Sequence, residues 1–201
     1  MTACKLMLLL CLLSCLNQAR AASWLVDSVN SSAWFEIAYW GRGTVKGRLA
    51  LQSGRVAFDS EARQAQGEIG FDMNSVQTGR EFIDNFIKSR SIFDTASYPD
   101  MRFRTQRLEF AGPRLLAAEG ELQLRGVTRP VRLEVRRFHC ADDLAQLERN
   151  PQPAENGERN VCQIEFSATI QRSQFGMDAY SMLVNDDVAI VANLIMQKIA
   201  P

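Results

Sequence analysis

Cys140 and Cys162 flank the most loop-like stretch of the chain, Ala141 to Asn160, which is rich in Asp, Glu, Asn, Pro and Gly. The other cysteines, Cys4, Cys11 and Cys15, all lie in an apolar N-terminal segment. Two cysteines remaining in an exported protein most simply form one disulfide. Closing a loop of about 20 residues is worth roughly 3 kcal/mol in the chain-entropy account. The competing chemistry is a reactive thiol or a metal site using His139, the sole histidine. Adjacent strand residues project to opposite faces, so His139 and Cys140 do not readily share one ion or one substrate. A disulfide between Cys140 and Cys162 is therefore expected.

Other candidate chemistry is weaker. The run Gly41-Arg42-Gly43-Thr44-Val45-Lys46-Gly47 lacks both the dinucleotide and the Walker spacing and reads as a strand connection. Asp186 and Asp187 are adjacent carboxylates with no further oxygen ligands in register, the pattern of a solvated turn rather than a cation site. A Ser-His-Asp site would have to use His139, and no serine motif points to it. Asn30-Ser31-Ser32 fits a glycosylation sequon, which matters only in a host that glycosylates. The residues predict no catalytic group, no metal and no cofactor; that the chain is a binding protein rather than an enzyme is an expectation that rests mostly on the family resemblance set out below.

The whole-chain balance agrees. The 201 residues fit one domain, and an apolar content of 46% suffices for a core. Lys and Arg number 23 against 23 Asp and Glu, which argues against nucleic-acid or polybasic membrane binding. Residues 1–21 read as a signal peptide. Lys5 precedes the run Leu6 to Leu16, and Ala19-Arg20-Ala21 offers a cleavage site before Ala22. The run is about half of the roughly 20 residues a spanning helix needs, so no transmembrane span is expected in the mature protein. Leu12-Leu13-Ser14-Cys15 offers an alternative, a lipoprotein anchored at Cys15. Either route predicts a periplasmic or secreted domain over residues 22–201.

Within that domain apolar residues recur two apart. Phe35, Ile37 and Tyr39 form one such set; Ile69, Phe71 and Met73 form another. Met101 and Phe103, then Leu133 and Val135 with Val131, repeat the pattern between arginines and glutamates. Phe166 with Ile164 and Ile170, and Ile190 with Val188 and Leu194, complete it. Period two repeated this often predicts antiparallel strands with one dry and one wet face. By the same alternation, the arginines of 125–137 read as a solvated outer face. Between Thr78 and Asp94 the spacing changes: Phe82, Ile83, Phe86 and Ile87 fall at helical intervals, with Asp84 and Lys88 placed to pair on the polar side. About eight strands and a short helix predict an all-β closed barrel, wide enough to be filled or to hold one elongated ligand.

Three stretches carry a family resemblance. One is Trp24-Leu25-Val26-Asp27 with Ser31 and the Phe35-x-Ile37-x-Tyr39 strand. A second runs from Ser75-Val76 through Thr78-Gly79, Asp84, Lys88-Ser89 and Phe93-Asp94 to Tyr98-Pro99. The third is Gly120-Glu121-Leu122-x-Leu124-x-Gly126-Val127-Thr128-Arg129-Pro130-Val131. In order and spacing these resemble the YceI-like family of lipocalin-like, exported, polyisoprenoid-binding proteins. The resemblance implies an extended eight-stranded antiparallel barrel holding an isoprenoid or other long-chain lipid for transport, storage or sequestration. Histidines common in the family are replaced here by Asn30, Tyr39 and Phe86. The expected lumen is Phe35, Ile37, Tyr39, Ile69, Phe71, Met73, Phe82, Phe86, Met101, Phe103, Leu122, Leu133, Val135, Phe166 and Ile190. Homodimerisation stays open, and the competing reading is a side-chain-filled barrel acting as a ligand-free envelope scaffold. An outer patch of Trp34, Ala38 and Trp40 would favour that second reading.

Overall fold

Alternation decides where each strand runs. In the segment around Met101 and Phe103, those two side chains are buried while Arg102 and Arg104 between and beyond them are exposed. The same rule builds the whole domain in a computed structural model, which describes residues 21–39, 43–59, 62–149 and 160–199. The proposed signal peptide, its cleavage motif up to Arg20, Cys15, and Trp40, Gly41 and Arg42 lie outside the described residues.

The strands are β1 (Ala22–Val26), β2 (Ser32–Tyr39), β3 (Gly43–Asp59), β4 (Gln64–Gln77), β5 (Asp100–Ala111), β6 (Arg114–Leu124), β7 (Val127–Ala141), β8 (Val161–Gln171) and β9 (Val184–Lys198). All pair antiparallel, and β3 pairs with β4 to close β2 to β9 into the expected eight-stranded barrel. Short β1 bridges β3 and β9 beyond the end of β2. One helix, α1 (Glu81–Lys88), links β4 to β5, and a second, α2 (Leu144–Arg149), lies between β7 and β8. The polar composition of residues 141–160 predicts a loop where α2 forms. Leu144 and Leu147 pack it onto Ala141, Val161 and Ile195 in a small cluster of its own.

The two ends of the barrel differ. The end bearing the β3–β4, β5–β6 and β7–β8 connections is filled by side chains. Ile69, Phe71, Phe103, Leu122, Val135 and Phe166 are all buried in the main core. Cys140 and Cys162 are directly opposite in the β7–β8 register and form the expected disulfide. They pack there with Trp24, Val56 and Phe58. The outer face is ionic: Arg104 pairs with Glu68 at 2.6 Å, and Arg132 reaches Glu109, Glu119 and Glu134. Exposed pairs of this kind keep the face wet more than they stabilise it. They hold Arg132 firmly protonated and keep the Glu109 and Glu119 carboxyls below the usual range.

Two changes test this packing. Cys140→Ser should lower stability by about 3 kcal/mol, read from the chemical unfolding midpoint, while the oxidised processed protein titrates no free thiol when denatured. In β6, a side chain on Gly120 would run into the Arg104 carbonyl and the Phe103 ring. Gly120→Ala should therefore cost about 1–3 kcal/mol by the same measurement; an unchanged midpoint would contradict the packing described.

Candidate functional site

The opposite end of the barrel is not filled. It is roofed by α1, by the segment after it, and by the β8–β9 connection. Helix α1 begins without a side-chain cap from Arg80. Its entry is set instead by Asp84, whose carboxylate accepts from the Thr78 N–H and hydroxyl, both at 2.6 Å. These bonds draw the Asp84 carboxyl below its ordinary value, with Lys88 a lesser contributor. The side chain is thus turned to Thr78, rather than to the Lys88 pairing expected from spacing. Beyond the helix, Ile92 N–H donates to Ser89 O and Phe93 N–H to Ile87 O. That turn folds Phe93 under the helix, edge-on to Phe35 with ring centres 6.3 Å apart.

The second part of the roof is built on a buried arginine. Arg172, 4% exposed, opens the short 3₁₀ turn Arg172–Phe175. Its guanidinium donates to the carbonyls of Met177, Ala179 (2.8 Å), Val184 (3.1 Å) and Asn185 (2.9 Å). A buried charge costs several kcal/mol unless its hydrogen bonds are made, so these carbonyls and the loop shape that presents them form as a unit. Asp186 supports the same turn by accepting from the Ser173 N–H and hydroxyl, which lowers its pKa. Its pairing with Asp187 predicts a solvated turn; Asp186 instead stands at the start of β9 and braces the Arg172–Phe175 turn. Phe86 and Tyr180 meet across the roof, ring centres 5.1 Å apart.

The β6–β7 hairpin ties the two parts together. Arg125 and Gly126 both have positive φ, 51° and 74°, the requirement of a two-residue type I′ turn. That turn aims Arg125 at the carbonyls of Gly176 and Arg90, while Arg129 donates to Gln174 O. Neither arginine is merely part of a solvated face, as the alternation around them had suggested. Hairpins bend the chain at their tips, and period two no longer says where a side chain goes.

Beneath the roof lies a cavity of about 480 Å³. Seven residues expected in the lumen share its wall: Phe35, Ile37, Tyr39, Met73, Phe86, Met101 and Ile190. Ile69, Phe71, Phe103, Leu122, Leu133, Val135 and Phe166 do not reach it; they belong to the packed half of the barrel. Phe82 does not face inward at all and is 83% exposed. It lies about 100° round the helix from Ile83, which with Ile87 marks the centre of the inward stripe. The roof adds wall residues that no periodicity announced: Ile92, Phe93, Met177, Tyr180, Leu183 and Val184. Val45, Leu49, Leu124, Ile170 and Val188 were legible in principle, since each is on the apolar phase of its strand. His139 faces a separate outer groove beside α2, with Arg137, Gln163 and Asn193. Burial and, less strongly, Arg137 lower its pKa. Cys140 points to the other side, as alternation requires.

Comparison with known proteins decides the family. The YceI-like domain profile matches residues 24–196. The chain belongs to the YceI-like family. Protein YceI of Escherichia coli O157:H7 is 30% identical over 131 residues, covering 63% of this chain and 68% of that one. A UPF0312 protein of Vibrio parahaemolyticus is 26% identical over 128 residues, covering 62% and 68%. Among solved structures, BcnA of Burkholderia cenocepacia superposes with a TM-score of 0.64 at 20% identity, over 85% of this chain and 98% of that one. A polyisoprenoid-binding domain from Saccharophagus degradans, implicated in plant cell wall breakdown, gives 0.62 at 15% identity, over 89% and 99%. At such identities the structural likeness speaks for the fold. In this YceI-like barrel, the roofed cavity is the largely apolar space among the described residues, and hence the candidate site.

The roof should loosen in acid. Because the folded-state pKa of Asp84 is lowered from 3.8, its contribution is present above that ordinary value and lost as pH falls through the lowered one. Hydrogen exchange of the α1 amides should therefore accelerate in strong acid ahead of the barrel strands. In Asp84→Ala the α1 amides should exchange fast at neutral pH as well. Equal protection in the variant and the parent would contradict the assignment.

Proposed function

We propose that this domain binds one long-chain apolar ligand, a polyisoprenoid or another long amphiphile, under the roof, and carries, stores or sequesters it outside the cytoplasm. The cavity wall carries the reading. Among the described residues it is formed by aliphatic, aromatic and methionine side chains, with Arg172 as the one charged residue. The Arg172 N–H groups are already directed at backbone carbonyls, so the wall asks little of a ligand except apolar surface. Its volume is within the roughly 300–1,000 Å³ of small-molecule sites. Each methylene moved from water into such a space gains about 0.8 kcal/mol, so affinity grows with chain length before ordering costs are subtracted.

Family membership and the polyisoprenoid-binding neighbour support the ligand class. Export is supported by the Cys140–Cys162 disulfide, a bond that persists in oxidising compartments. The apolar leader over residues 1–21 points the same way. The periplasm, or the medium after secretion, is the place this combination fits.

Native mass spectrometry of the processed protein, with lipid extraction, tests the reading. A single long-chain lipid should accompany the protein and be replaced by an added isoprenoid alcohol. Met73→Trp, placed in the cavity wall, should fold normally by circular dichroism yet weaken that uptake about tenfold or more, since it fills volume the ligand needs. Arg104→Ala and Glu134→Ala, on the outer face, should leave uptake unchanged. A protein that carries no lipid and takes up none would leave the barrel a scaffold and overturn the proposal.

A further inference from the structure

Helix α1 and the β8–β9 connection do more than cover the cavity. Each also presents a large apolar side chain to solvent beside it: Phe82 is 83% exposed and Met182 is 94% exposed. Soluble proteins scatter single exposed apolar residues widely, but these two are not isolated. Phe82 is one turn before Phe86, and Met182 follows Tyr180 by two; Phe86 and Tyr180 are themselves in contact and partly exposed. Leu183 and Tyr39, also exposed, line the cavity from the same end. The exposed apolar surface is thus continuous with the apolar wall within.

Charge sharpens the picture. The segment Ala179–Asn185 contains no ionisable group except the Tyr180 phenol. On α1 the Asp84 carboxylate is turned back to Thr78. The flanking charges are mixed in sign: Arg80, Glu81, Lys88 and Arg90 on one side, Asp178 and Asp187 on the other. Among the described residues, the rim itself, formed by Phe82, Phe86, Tyr180, Met182 and Leu183, offers no charge with which to recognise a charged partner. It suits an apolar phase that begins just below a polar boundary. The opposite end of the barrel is built otherwise: its β5–β6 turn is the exposed Ala111-Gly112-Pro113-Arg114.

We infer that the Phe82–Met182 rim is a bilayer-docking surface, through which the cavity opens against the apolar layer of a membrane. A chain lipid would then pass between bilayer and cavity without its full length crossing water. Shallow insertion of two large apolar side chains is a weak, reversible attachment, as a carrier that must leave again requires. The inference rests on the lipid-binding reading of the cavity, and its test keeps the two apart.

The test uses the processed protein with a single cysteine introduced at the rim, Met182→Cys, or at the far turn, Arg114→Cys, each labelled with an environment-sensitive nitrobenzoxadiazole dye. Phosphatidylcholine vesicles should brighten and blue-shift the rim dye and leave the far dye unchanged. A second variant, Phe82→Ser with Met182→Ser, should bind vesicles about tenfold more weakly or worse. It should also draw a fluorescent long-chain lipid from vesicles more slowly, while binding the same lipid from dilute solution with the parent's affinity. Equal dye responses at the two ends, or a double variant that binds vesicles as the parent does, would overturn the inference. So would a rim dye silent towards vesicles but responsive to protein concentration, which would assign the rim to a second copy of the chain. If the parent takes up no lipid from solution, the cavity reading fails, and the rim dye still decides the docking.

Discussion

The β3–β4 ladder is the contact on which the rest depends. Without it the strands would form an open sheet with two free edges, and the apolar phase of every strand would face water on one side. β3, the longest strand, runs Gly43–Asp59 and is long enough to pair with β2 through its first half and with β1 and β4 through its second. Its register slips near Arg48 and Leu51 let it bend round the barrel rather than continue flat. Once the ring closes, alternation becomes a partition between a dry interior and an ionic exterior. An eight-stranded ring has an interior that side chains can fill or nearly fill. This chain fills one half, around Phe71, Phe103 and Phe166, and leaves the other half to a cavity.

What keeps that second half from collapsing is a roof held by polar groups at its margin. Asp84 fixes where α1 starts; Arg172 gathers two carbonyls of the β8–β9 connection and two at the start of β9; Arg125 clamps that connection to the segment after α1. None of these groups gives the cavity wall an unmet demand for a polar ligand. They are tied to backbone, so the wall between them is free to be apolar. Rigidity at the edge and dryness in the middle are two results of one arrangement.

The strands, their inward phases, the helix and the disulfide were all legible, because each has a local signature: period two, helical spacing, or two cysteines bracketing a polar loop. Where along the barrel each residue sits was not. Phe35 and Phe71 have the same pattern, yet one lines the cavity and the other is packed in the core. That difference is set by shear and by the position of the roof, which are properties of the closed ring. Phe82 misled because four apolar residues in two turns make a stripe wider than the surface available to bury it. Phe93, Met177 and Leu183 were invisible because turns have no period, and Arg172 because a buried arginine bonded to carbonyls needs no acidic partner at any fixed spacing.

The space between α1 and the barrel floor, bounded by Met73, Leu124 and Ile170, is the place proposed for a chain ligand. A crystal structure of the protein equilibrated with a terminally brominated long-chain alcohol tests it most directly, since the bromine can be located by its anomalous scattering. A ligand held there should give one strong bromine peak inside that space, with chain density leading from it towards Phe86 and Tyr180. A bromine in the outer groove beside His139, or side chains collapsed into the space while the alcohol binds elsewhere, would contradict it.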